Sequence, residues 1–135
     1  MQRTTQGPSP APTITCSVFG GRQSWLSAAS GHGLSGAIGF YGRPGAGEDG
    51  SAGPIQAAGE IECPVLGLMG GADEAIPRHD VDELERALAQ AGVEHELVTY
   101  PGAPHSFFDR KQEEFADASE DAWARVLAFI ERHRA

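Results

Sequence analysis

Cysteine is scarce in this sequence, and the residue types that bind metals show no recognisable spacing. Only Cys16 and Cys63 are present, they form no CxxC pair, and the five histidines are scattered along the chain. Two cysteines are too few for a disulfide framework, and structural zinc sites need closely spaced ligands. We therefore expect two free cysteines, no bound metal and no other cofactor.

Basic residues and long hydrophobic runs are also few. The 19 acidic residues outnumber the 10 basic ones, which gives a net charge of -9. Such a charge repels nucleic acid phosphates and anionic lipids. No stretch approaches the roughly 20 apolar residues of a membrane span, and the N-terminus lacks the basic-then-apolar order of a secretory signal. The sequence thus predicts a cytoplasmic protein whose partner is neither a nucleic acid nor a membrane.

The N-terminal segment differs in composition from the rest of the chain. Residues 1–13 contain three prolines, and their only apolar side chains are Met1 and Ala11, so this segment cannot contribute to a core. A chain of 135 residues is also too short for two independent cores. We expect a disordered tail over 1–13 and one domain, or part of one, over 14–135.

Short apolar runs divide this domain. Four of them have the length and composition of strands, at 13–16, 37–41, 64–69 and 95–100. The segment 44–59 is rich in glycine and has no periodicity, so we expect a loop there.

Helical patterns lie between and after these runs. From Val81 to Ala91 the apolar residues recur at spacings of three and four, and Gly92 is a typical helix stop. A second apolar stripe predicts a helix over 115–130, and a shorter helix fits about 21–31. Strands that alternate with helices indicate an α/β fold with a mostly parallel sheet.

An acidic residue follows the third apolar run. Asp73 comes after a Gly70-Gly71 pair, so it should lie at the tip of a strand, where ligands bind in parallel sheets. A carboxylate there is suited to orient an imidazole. The alternative is that Asp73 only caps a turn, as aspartate often does after glycine.

A histidine follows the fourth run. His105 stands in PGAPHSFF, where prolines and a glycine restrict the loop directly beyond a strand. A rigidly held imidazole is expected of a general base. The alternative is a surface histidine whose neighbours Phe107 and Phe108 are there for packing.

The order of these residues is informative. An acid after one strand and a histidine after the next is the order nucleophile, Asp, His of the α/β-hydrolase triad. The nucleophile should then lie upstream, on a sharp turn between a strand and a helix. The Gly20-Gly21 pair before the first helix fits that place, in the segment CSVFGG over 16–21.

Several motifs in this order resemble one known family. The segments GLMGGADEAIP, VTYPGAPHSFFDRK, FGGRQSWLSAA and GAIGFYG, with a tryptophan in the last helix, closely resemble bacterial dienelactone hydrolases, the carboxymethylenebutenolidases. The resemblance covers roughly residues 14–133. It implies the C-terminal half of an α/β-hydrolase fold, with about four mostly parallel strands and flanking helices.

The resemblance also implies roles for individual residues. Asp73 would be the acid of the triad and His105 the general base, and the backbone N–H of Phe19 would stabilise the oxyanion. The family places an arginine shortly after the histidine to hold a substrate carboxylate. Here Asp109 precedes Arg110, so Arg110 is a weak substrate-binding candidate.

The nucleophile departs from the family pattern. The family's turn reads G-x-C-x-G-G, and alignment on Gly20-Gly21 puts Val18 at the position of the cysteine. A slip of one residue would present Ser17 as nucleophile, and a slip of two residues would present Cys16. Without such a slip the triad is broken.

The strands and helices that precede this turn in the family are missing here. A half sheet would expose an edge with unpaired backbone groups, so we expect a missing N-terminal half or a second copy in a dimer to complete it. A proline-rich tail next to an imperfect turn further suggests a shifted reading frame or a misplaced start.

The expected activity is hydrolysis of small lactones or esters, through a Cys/Ser-His-Asp type triad and an acyl-enzyme. A small-molecule ester or lactone is then the substrate. One alternative is a catalytically inactive or truncated accessory module of the same fold. Another is a serine carboxylesterase-like fragment that uses Ser17.

Overall fold

Four parallel strands form one sheet in the computed structural model, which describes residues 13–17, 21–31, 33–47, 49–108 and 113–133. The strands are β1 (Ile14–Ser17), β2 (Gly36–Phe40), β3 (Val65–Gly70) and β4 (His95–Tyr100). They lie side by side in chain order, and each neighbouring pair is parallel. All four expected strands are confirmed to within one residue at either end.

Three helices also lie where the sequence predicts them. They are α1 (Gly21–Ala28), α3 (Arg78–Gln90) and α4 (Ala116–His133). The α/β class and the parallel sheet are therefore confirmed. The tail expected over 1–13 falls, apart from Thr13, outside the described residues, so its disorder stays a prediction.

The expectation of a plain loop over 44–59 is wrong at its C-terminal end. A short helix α2 (Pro54–Ala57) and a 3₁₀ turn (Ala58–Glu60) lie there. Proline suits the first position of a helix because its missing N–H would have no partner there. The Gly53 N–H donates to Oε1 of Gln56 at 2.8 Å, which closes the helix start.

Helices cover both faces of the sheet. Gly36 and Gly39 are three residues apart on β2, so they point to opposite faces. A Cβ on Gly36 would lie 2.7 Å from the ring of Phe129 in α4, and one on Gly39 would lie 2.6 Å from the indole of Trp25 in α1. Thus α1 packs on one face and α4 on the other, and the absent side chains let both aromatic rings approach the sheet.

The core lies along the two central strands. Every residue of β2 and β3 is buried, as expected for strands covered on both faces. The buried Trp25 ring spans their middle, and its Nε1–H donates to the Leu66 carbonyl at 3.2 Å. Within the described residues, none of the helices is both long and apolar enough to cross a membrane.

Candidate active site

Asp73 and His105 meet at the carboxyl edge of the sheet. Asp73 follows the end of β3 and His105 follows the end of β4, and parallel neighbouring strands end at the same edge. Nδ1 of His105 lies 2.6 Å from Oδ2 of Asp73. The Asp73 side chain is 1% exposed and the His105 side chain 47%, so a buried carboxylate holds an imidazole that solvent can reach.

Backbone hydrogen bonds hold the two loops together. The Gly71 N–H donates to the Tyr100 carbonyl at 2.8 Å, and the Ala72 N–H donates to the Ala103 carbonyl at 2.9 Å. Gly70 permits this approach, because a Cβ there would lie 2.4 Å from the Ala103 oxygen. The GG pair is thus required by the packing of the His105 loop against the end of β3.

Both oxygens of Asp73 are engaged. Oδ1 accepts the Ala75 N–H at 2.9 Å while Oδ2 contacts His105. Asp73 therefore caps its own turn and also contacts the imidazole, so the two interpretations of this residue describe one geometry. A carboxylate only accepts hydrogen bonds, and His105 thus donates from Nδ1. Its Nε2 is left for proton transfer.

Two strained residues flank the imidazole. Tyr41 and Ser106 have φ of 37° and 64°, and they are the only non-glycine residues with positive φ in the described part of the chain. Ser106 follows His105 directly, and the Tyr41 ring lies 4.8 Å from the imidazole. Sequence reasoning missed Tyr41, because the apolar run over 37–41 placed it inside the second strand, whereas β2 ends at Phe40.

A hydrogen-bonded network anchors α4 at the base of the His105 loop. The Tyr100 hydroxyl donates to Asp121 at 2.7 Å, and Arg125 donates from Nε to the same carboxylate oxygen at 2.7 Å. Burial, followed by the Asp121 carboxylate, raises the pKa of Tyr100 above its usual range, so the phenol remains a donor. The Tyr100 ring packs on Phe107 at 5.3 Å.

The candidate nucleophiles are described only in part. Cys16 and Ser17 belong to β1, with Cys16 opposite Ile38 in the register. Cys16 is exposed, yet partial desolvation by neighbouring atoms raises the pKa of its thiol, which disfavours the reactive thiolate. Val18 and the oxyanion candidate Phe19 lie outside the described residues.

The proposed substrate-binding Arg110 also lies outside the described residues. A cavity of about 580 Å³ opens beside the start of α4. Asp73 and His105 are not among the residues that line it. The described residues that line it are Phe108, Glu113, Ala116, Ser119, Glu120 and Trp123.

One group of side chains has the chemistry of a cation site. His79, Asp80 and Glu83, at the start of α3, bring ligand atoms within 4.8 Å of one another. His79 and Glu83 are exposed and Asp80 is half-buried. Exposed acidic groups of this kind are common without a bound ion, and this one lies on α3 rather than on the loops that carry Asp73 and His105.

Comparison with known proteins identifies the family. The sequence profile of the dienelactone hydrolase family matches residues 14–134. The "putative carboxymethylenebutenolidase" of Escherichia coli K12 is 33% identical over 123 residues, which cover 89% of this chain and 45% of that protein. Its counterpart in Methylorubrum extorquens is 36% identical over 125 residues, which cover 89% of this chain and 42% of that protein.

Comparison with solved structures identifies the same family. The "putative dienelactone hydrolase" of Klebsiella pneumoniae subsp. pneumoniae MGH 78578 superposes with a TM-score of 0.74 at 33% identity, covering 84% of this chain and 48% of that one. The chain spans about half the length of the relatives it matches. It belongs to the dienelactone hydrolase family and has the family's α/β-hydrolase fold.

Proposed function

We propose that the chain supplies the acid and the base of a hydrolase that acts on small esters or lactones. The observation that carries the proposal is the 2.6 Å contact between the buried Asp73 carboxylate and Nδ1 of the half-exposed His105. In this arrangement Asp73 fixes the tautomer of the ring, and Nε2 points away from the carboxylate as a proton acceptor. Family membership supports the same chemistry.

The proposed reaction has two stages. In the first, a thiol or hydroxyl passes its proton to Nε2 of His105 and attacks the ester carbonyl, so an acyl-enzyme forms and the alcohol leaves with that proton. In the second, His105 takes a proton from water, which attacks the acyl group, and returns that proton to the departing sulfur or oxygen of the nucleophile as the acid is released. A backbone N–H, proposed to be that of Phe19, would stabilise the oxyanion in both stages.

We propose that this chain lacks the nucleophile of the triad. Val18 stands where the family pattern has cysteine, and a valine side chain has no group that can attack a carbonyl. Cys16 and Ser17 precede this position on β1. We expect the chain as it stands to hydrolyse esters no faster than its own His105→Gln variant.

Hydrolysis of p-nitrophenyl acetate tests this proposal. The chain should be compared with three variants, His105→Gln, Cys16→Ala and Ser17→Ala. Equal background rates for all four support a missing nucleophile. If the activity is lost in His105→Gln and in Ser17→Ala but not in Cys16→Ala, the serine carboxylesterase replaces the proposed missing nucleophile. If it is lost in His105→Gln and in Cys16→Ala but not in Ser17→Ala, Cys16 is the nucleophile.

The second candidate function is an accessory module that completes its sheet with another half. One feature favours it, an apolar flank on α4. Asp121 and Arg125 contact β4 residues. Trp123 and Leu127 follow Asp121 by about 200° and 600° of helical rotation, and 600° is equivalent to 240°. Both side chains therefore lie on the opposite flank of α4, toward β1. These two side chains are 50% and 49% exposed.

Co-expression tests this candidate. The probe is the half of the Klebsiella protein that our chain does not match. A soluble complex that is weakened by Leu127→Ser but not by Ala124→Ser, an exposed position on the outer face of α4, would support completion by that half. A stable dimer of the chain alone that ignores the probe would favour a second copy. The cytoplasmic location also remains a sequence-based proposal.

A further inference from the structure

Tyr41 adopts a costly backbone conformation in a buried position. Its φ of 37° lies in the left-handed region, which is a genuine outlier for a bulky residue. The residue is 4% exposed, and its N–H donates to the Leu68 carbonyl at 2.7 Å. This bond extends the pairing of β2 with β3 by one step, so the sheet itself holds Tyr41 in the strained conformation.

The strained backbone directs the Tyr41 ring to the His105 loop. Its centroid lies 4.8 Å from that of the His105 imidazole, with an angle of 48° between the planes. It also contacts Phe107 edge-on at 5.5 Å. Phe107 is 0% exposed, so the Tyr41 ring rests on a fixed base. The ring thus forms a wall against one side of the imidazole.

The imidazole needs such a wall. Asp73 engages only Nδ1, and a single hydrogen bond leaves the ring free to pivot about the line between the two atoms. The His105 side chain is 47% exposed, so solvent offers little resistance to that movement. Backbone strain that persists beside a reactive group is a recognised form of preorganisation.

We propose that Tyr41 is a positioning residue, whose ring restricts rotation of the His105 imidazole and keeps Nδ1 on Asp73 with Nε2 in a fixed direction. The catalytic meaning of this role rests on the proposed function. The contact between the Tyr41 and His105 rings does not depend on the proposed function, so it can be measured without turnover.

Nitrogen NMR of the histidine side chains tests the proposal. In the unmodified chain the His105 ring should be as rigid as the backbone, with an order parameter near 0.85, although it is half exposed. His79 is the control, because its Nε2 also lies near a carboxylate, 2.9 Å from Asp80, while its side chain is 77% exposed. A His105 ring as mobile as that of His79 would overturn the proposal without any substitution.

Substitutions sharpen the test. Tyr41→Phe keeps the ring and should preserve both the rigidity of His105 and the slow exchange of its Nδ1 proton. Tyr41→Met fills similar space without a ring, and it should raise that exchange rate by about tenfold or more. Phe108→Met is the control, because Phe108 belongs to the same loop and packs on Phe40 at 4.7 Å. Equal effects of Tyr41→Met and Phe108→Met would reduce Tyr41 to a packing residue.

The same variants separate this role from the proposed function. In the Val18→Cys background, which supplies the thiol that the chain lacks, Tyr41→Met should lower kcat on the order of tenfold and leave KM nearly unchanged, since the ring contacts the base. If no hydrolysis occurs in any variant of the Val18→Cys background while the NMR differences persist, the proposed function fails and the positioning role stands. If hydrolysis occurs without NMR differences, the positioning role fails.

Discussion

Asp73→Asn should reverse the tautomer of His105 while leaving the fold nearly as stable. The amide oxygen can replace Oδ1 as acceptor for the Ala75 N–H, which lies 2.9 Å away. The amide nitrogen then replaces Oδ2, 2.6 Å from Nδ1. An amide nitrogen only donates hydrogen bonds, so Nδ1 must accept, and the ring proton moves to Nε2.

The magnitudes show why stability should change little. A hydrogen bond to a charged group contributes about 1.5–3 kcal/mol and a neutral one about 0.5–1.5 kcal/mol. The weaker bond is offset in part, because the 1% exposed carboxylate carries a desolvation cost that an amide lacks. We expect the free energy of unfolding to fall by about 1 kcal/mol or less. Asp73→Ala removes both acceptors and should lower it by about 1–3 kcal/mol.

Two assays measure these effects. The ring nitrogen shifts of His105, recorded with the imidazole neutral, report the tautomer, and urea unfolding followed by tryptophan fluorescence reports the stability. In a chain with a working nucleophile the wrong tautomer should cost about 10⁴-fold in kcat. A His105 ring that keeps its proton on Nδ1 in Asp73→Asn would refute the assigned role of Asp73.

Two further predictions concern stability. Burial alone would lower the pKa of His95, but its hydrogen bonds with the Val93 carbonyl and the Glu85 carboxylate, and the charge of Glu85, raise it overall. His95→Gln should therefore destabilise the fold most below about pH 6.5, and the difference should disappear as the pH rises through the raised pKa of the folded state. Urea titrations at several pH values measure this effect. Gly39→Ala would place a Cβ 2.6 Å from the Trp25 indole and should cost about 1–3 kcal/mol through overpacking; an unchanged urea midpoint would contradict the tight packing of α1 on the sheet.

The strands and long helices could be predicted because their apolar periodicity extends over enough residues. α3 combines a regular apolar stripe with a glycine stop, and both survive in the structure. The four-residue α2 is too short to show a period, so the sequence predicted only a loop there. The structure thus departs from the prediction where the local signal is shortest.

The site shows the same division. Asp73 and His105 could be placed together from their order after two successive strands, because parallel strands end at one edge. Tyr41 could not be placed at the site from the sequence. The apolar pattern extended the predicted strand over 37–41, whereas β2 ends at Phe40. The chain turns at Tyr41 because of a left-handed conformation that only the finished sheet maintains.

The most direct test of the central claim is the rate of p-nitrophenyl acetate hydrolysis by the Val18→Cys variant, measured with and without His105→Gln. If Asp73 and His105 form a working acid and base, a thiol at position 18 should raise the rate on the order of 10²-fold over Val18→Ala, and His105→Gln should abolish the gain. A Val18→Cys variant no faster than Val18→Ala, or one whose activity survives His105→Gln, would contradict the account.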